Sequence, residues 1–85
     1  MKKKGYKLGD GIVFRDYGDF GLVVNIPLRK NITLNSSASK ILMLINEGIL
    51  LKDLKAKIKS KKITSLNNLS QLLDQLEKQK IIKPL

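Results

Sequence analysis

The segment Asn31–Leu54, NITLNSSASKILMLINEGILLKDL, restricts the fold more than any other part of the chain. Ile32 and Leu34 flank Thr33 with the two-residue period of a strand. Across one polar patch, Asn35–Ser37, the period changes. Ala38, Ile41, Leu42 and Ile45 then recur at i, i+3, i+4 and i+7, the core face of a helix. Asn35, Ser36 or Ser37 supplies a cap by accepting from an orphan N–H. Gly48, after Glu47, is the glycine expected just past a helix end. A short strand therefore feeds directly into a run of helices.

The flanking sequence supplies the remaining elements. Gly11–Asp16, GIVFRD, alternates as a first strand, and Phe20–Ile26, FGLVVNI, returns as a second. The DYGD between them is turn chemistry, with Gly18 free to take positive φ. Pro27 has no N–H to donate and ends the ladder. Leu28–Lys30 form a looser turn into the third strand. A second helix starts near Leu50 or Leu51 with the stripe Leu51, Leu54, Ile58, and carries Lys52, Lys55, Lys57 and Lys59. After a basic connector, Ser65 caps a third helix with the stripe Leu69, Leu72, Leu73, Leu76. That helix ends near Lys80, and Ile81 and Ile82 form a short tail that closes the core. Residues 1–10 read as a basic flexible arm and 11–85 as one domain. The order predicts an α+β, winged-helix-like fold: a three-stranded antiparallel sheet followed by three helices that cover its apolar face.

Composition narrows the chemistry. The 85 residues include no histidine and no cysteine. The commonest general base, the thiolate nucleophile and the thiolate zinc site are therefore absent. The serines fall at predicted caps and linkers, without an imidazole to activate them. Asp74 and Glu77, at i, i+3 on the third helix, read as a solvated face, with Lys78 within reach of Asp74. Gly9 and Gly11 are followed by no lysine–serine pair and make no phosphate loop. A binding module, with no catalysis and no cofactor, is the expectation. The longest apolar run, Ile41–Ile45, is far too short to span a bilayer, and Lys2–Lys4 lead into no apolar stretch. A cytoplasmic location is expected. The net charge of +10, from 17 basic and 7 acidic residues, points to an acidic partner or to solubility alone.

In a simple meander the third strand pairs on one side only, leaving a row of N–H and C=O groups along Asn31–Asn35. An open edge beside a helix is a groove to which an extended peptide adds as a further strand. Leu66, Leu69 and Leu73 are candidate walls on the third helix.

The order of these motifs resembles the PqqD-like family, the RiPP recognition elements, over about Gly11–Ile82. The RDYGD turn, the join ITLNSSASKILMLINEG with Leu34-Asn35, Ala38, Ile41-Leu42 and Glu47-Gly48, and the helices ILLKDLKAKI and LSQLLDQLEKQKII carry the likeness. Two positions depart from the pattern. Leu50 stands where a Thr or Ser cap is usual, and Lys80 where a glycine is usual. The resemblance implies a non-catalytic domain, and a free-standing chain of this length looks like the separate leader-binding subunit of lasso-peptide-like biosynthesis. Such a domain binds the leader of a ribosomally made precursor peptide along the third strand and against the third helix. It presents that precursor to a maturation enzyme, such as a leader peptidase, a cyclase or a radical enzyme. The implied site residues are Asn31, Ile32, Thr33 and Leu34 on the strand, and Leu66, Leu69, Ser70, Leu73, Asp74 and Glu77 on the helix. Arg29, Lys30 and Lys78 are added as attractors of acidic leader residues at the groove ends. The alternative reading is a winged-helix nucleic-acid binder whose third helix reads bases with Asn67, Asn68, Gln71 and Gln75. A further one is a small subunit that sets its lysines on an acidic protein surface.

Overall fold

A computed structural model describes residues 4–85. The predicted α+β order is present, with a short strand added at each end. The elements are β1 (Tyr6–Leu8), β2 (Ile12–Asp16), β3 (Phe20–Asn25), β4 (Lys30–Asn35), α1 (Ser36–Asn46), α2 (Leu51–Ser60), α3 (Leu66–Lys78) and β5 (Ile82–Pro84). Strands β2, β3 and β4 form an antiparallel meander in that order, and β1 pairs with β5 in a separate two-stranded ribbon.

Alternation sorts the meander into two faces. Val23 and Asn25 of β3 and Leu34 of β4 are buried toward the helices, with Ile12, Phe14 and Ile32 half-buried beside them. Val13, Phe20, Asn31 and Thr33 look outward and are exposed. Helix α1 crosses the inner face at close range. The Ser39 hydroxyl, fully buried, donates to Asp16 Oδ1 at 2.7 Å. It stands over Gly21, where an added Cβ would meet Ser39 Cβ at 2.8 Å. Only glycine lets the helix sit this close to the sheet.

The third strand is longer than its alternation predicts, and it enters α1 without a loop. Asn35 is its last residue and also the cap, accepting from Ala38 N at 2.9 Å. Gly48 takes φ +89° beyond α1, and the Ser65 hydroxyl accepts from Asn68 N at 3.1 Å to start α3. Leu42, Ile45, Leu54, Ile58, Leu69, Leu73, Leu76, Ile81 and Ile82 meet in one core. The pair Ile81 and Ile82 closes it as the tail was expected to.

The expected flexible arm needs correction over its second half. Residues 1–3 lie outside the described residues, but Tyr6–Leu8 is a strand in register with β5, Tyr6 opposite Pro84 and Leu8 opposite Ile82. Tyr6 is 5% exposed and belongs to the core. Pairing with β5 satisfies backbone groups that a mobile arm would leave to water. Next to this ribbon, Lys83 Nζ lies 2.9 Å from Asp10 Oδ1. The hydrogen bond and charge of Lys83 hold the Asp10 carboxyl below its usual range. What this exposed pair contributes is therefore present at neutral pH and fades as pH falls through the lowered value.

The two positions that depart from the resembled pattern, Leu50 and Lys80, are each accommodated by the backbone. Leu50 cannot cap α2 with its side chain, and the Lys4 carbonyl instead accepts from Leu51 N at 2.8 Å, while Gly5 bridges to Leu50. Lys80 takes φ +61°, the left-handed conformation that glycine adopts freely. Lys80→Gly is therefore expected to stabilise the fold by up to about 1 kcal/mol, less the added chain entropy of glycine. Gly21→Ala should cost about 1–3 kcal/mol through overpacking against Ser39. Chemical denaturation of both variants checks these opposite signs.

Candidate functional site

Among the described residues, no strand lies beside the outer margin of β4, because the meander ends there. Two bonds set the phase of the ladder: Tyr17 N donates to Phe20 O at 2.8 Å, and Ile26 N donates to Gly11 O at 3.0 Å. Phe20, Leu22 and Val24 therefore turn their backbone groups to β2, and Gly21, Val23 and Asn25 turn theirs to β4. Leu34, Ile32 and Lys30 answer the latter three. By the same alternation, Asn31 and Thr33 aim N–H and C=O at the open side. Ile32 and Leu34 supply inward side chains instead.

Beside the end of this margin runs a hollow of about 380 Å³. Its strand side is Asn35 and the first turns of α1, Ser37, Ala38 and Ile41; its other side is Thr64 and the α3 residues Asn68, Gln71, Leu72 and Gln75. The Ser37 hydroxyl donates to the Ile63 carbonyl at 3.3 Å and ties the two sides together at this end. Among the described residues, no charged side chain lines the hollow. Its α3 wall is mainly amide, with Leu72 as the apolar exception.

The residues expected on the helix wall are placed elsewhere. Leu69 and Leu73 are core. Leu66, Ser70 and Asp74 join them around a different hollow, between α3, α2 and Tyr6. Glu77 lies toward the other end of the sheet, in a cleft of about 460 Å³ with Asn25, Pro27, Leu28 and Lys80. The cause is helical geometry: Ser70 and Leu72 stand about 200° apart around the axis. The apolar stripe of α3 faces the core, so the wall nearest β4 is the polar flank of that stripe. Its signal was in the sequence, since Asn68, Gln71 and Gln75 recur at i, i+3 and i+7. Of the strand residues, Asn31, Ile32, Thr33 and Leu34 all lie on the edge strand. Lys30 is its first residue, and Arg29 precedes it in the turn with φ +53°. Lys78 is exposed at the end of α3.

Among the described residues, no three His, Cys, Asp or Glu side chains gather where a metal ion could sit, and no helix is long and apolar enough to cross a membrane.

No family model matches the chain, and no curated protein matches it. Among solved structures, TbiB1 in complex with the TbiA(beta) leader peptide superposes with a TM-score of 0.80 at 18% sequence identity. The superposition covers 91% of this chain and 94% of that one. The chain thus has the fold of TbiB1, a protein solved with a leader peptide bound.

Because Leu73 is core, Leu73→Lys should abolish the cooperative thermal transition, at a cost above about 3 kcal/mol. Gln71→Ala, on the exposed wall, should leave the transition within about 0.5 kcal/mol of the parent. Circular dichroism melts of the two variants separate core from wall.

Proposed function

We propose that this chain is a RiPP recognition element: a non-catalytic module that captures the leader segment of a ribosomally made precursor peptide and presents it to a maturation enzyme. The observation that carries this reading is the margin of β4 left unpaired among the described residues, with Asn31 and Thr33 turning backbone groups to the open side and α3 walling the hollow at its Asn35 end. An added strand would bond to those two residues and gain register from them. Its alternate side chains would turn toward the hollow, meeting Leu72 and the amides of Gln71 and Gln75. The likeness to TbiB1 supports the same reading. Arg29, in the turn before β4, and Lys30, its first residue, would draw acidic leader residues to that end.

The winged-helix nucleic-acid reading asks α3 to be the recognition helix. Its amides Asn68, Gln71 and Gln75 instead line the hollow beside β4, while the densest lysines lie on α2 and the connector. A maturation enzyme, a peptidase, cyclase or radical enzyme, is the partner this function requires.

Fluorescence anisotropy with the leader of a neighbouring short precursor tests the reading against duplex DNA. Leader binding is expected to fall with salt only as far as Arg29 and Lys30 contribute, because the hollow is uncharged among the described residues, whereas binding through many phosphate contacts would weaken steeply. Thr33→Pro removes the central N–H of the margin and should lower leader affinity at least about tenfold, or 1.4 kcal/mol. Undiminished affinity in that variant, or tight salt-sensitive binding of DNA in place of leader, would sink strand addition.

A further inference from the structure

The hollow that received Leu66, Ser70 and Asp74 lies on the far side of α3 from β4. It is small, about 180 Å³, and its floor is Leu51, Leu69, Leu73 and Tyr6. Leu66, at its mouth, is 49% exposed. Leu51 and Lys55 are shared with a shallower cleft that also holds Lys4, Leu50 and Lys52, and Leu50 is 41% exposed. The two form one surface: leucines in the middle, lysines along one rim, and Asp74 on the opposite side.

The lysine rim belongs to a longer ridge. Lys52, Lys55 and Lys59 recur at i, i+3 and i+7 along α2, all exposed, and Lys61 and Lys62 continue into the connector. Among the described residues these lysines have no ion-pair partner, and Asp53 is the single acid on the helix. Exposed leucines at the centre and unpaired charge at the edge is the layout of a protein interface, where an apolar core is ringed by a polar rim.

We propose that this surface docks an acidic segment of a partner protein that inserts one large apolar side chain between Leu51 and Leu66. The hollow is below the roughly 300–1,000 Å³ of small-molecule sites, and suits a single side chain. Nucleic acid fits less well. The rim has no arginine for bidentate phosphate contacts and no exposed aromatic for base stacking, and phosphates have no use for a leucine-floored hollow. A membrane fits less well because the apolar stripe of α2, Leu54 and Ile58, is buried in the core. Asp74 sets an orientation: the partner's carboxylates lie toward Lys52 and Lys55, and its uncharged end lies over α3. Since this surface and the β4 margin lie on opposite sides of α3, a peptide at one leaves the other open. The proposal does not depend on strand addition at β4.

Two-dimensional amide NMR of the full chain tests it, with an acetylated peptide of glutamates and serines around one leucine as probe. Shifts are expected at Leu51, Lys55, Leu66 and Ser70. Binding should weaken at least about tenfold in Lys52→Glu/Lys55→Glu, by like-charge repulsion, and also in Leu66→Ser. Both substitutions are at exposed or rim positions, and unchanged spectra elsewhere show that the fold is kept. The control probe has serine in place of the leucine and should bind more weakly. Equal binding of that control overturns the proposal. So does an absence of shifts, or shifts centred on Asn31–Asn35, which would place the peptide on the sheet edge. Duplex DNA or phosphatidylglycerol vesicles binding through the lysines with no effect of Leu66→Ser would overturn it in favour of those polyanions.

Discussion

Asn35 carries the constraint on which the architecture turns. Its backbone ends β4, and its side-chain oxygen caps α1 through Ala38 N. With no loop between strand and helix, the direction of α1 is fixed by the direction of the sheet's last strand. Ser39, one turn further on, then lands over Gly21 and reaches Asp16. The hydroxyl–carboxylate bond and the bare glycine together hold α1 flat against the sheet. That placement brings the first turn of α1 to the end of β4, where it forms one bank of the uncharged hollow.

Local signals in the sequence were enough to place most of the elements. The DYGD turn, the polar patch before α1, Gly48 and Ser65 each act within a few residues, so pattern alone locates the hairpin and the helices. Contacts between distant segments were out of reach of such patterns. YKL and IKP are too short and too basic to read as strands, and each becomes one only because the other is there. The missing cap of α2 is supplied by the carbonyl of Lys4, far away in sequence. Lys80 performs a glycine's role by accepting a costly backbone conformation.

The candidate site divides the same way. The open margin was readable, because a meander of three strands must end in an edge. The α3 residues are divided by the helix: Leu66, Ser70 and Asp74, expected opposite that margin, line the hollow toward α2, and Asn68, Gln71 and Gln75 line the one at the end of β4. In a domain this small the core claims Leu69, Leu73 and Leu76 of α3, and the surface toward the end of β4 is left mainly to amides, with Leu72 among them. Helix α3 thereby shows different chemistry on each side: neutral amides toward β4, and leucines fringed by lysine toward α2.

The β1–β5 ribbon joins residues from nearly opposite ends of the chain, and closing so long a loop is entropically late in folding. It is also held by few residues, which favours local opening without global unfolding. Such an opening would release Tyr6 from the floor of the α2–α3 hollow and the Lys4 carbonyl from the start of α2 together. The lysine-rimmed face thus shares Tyr6 and Lys4 with the ribbon that ties the two chain ends, whereas the end of β4 is held by its own bonds through Asn35 and Ser39.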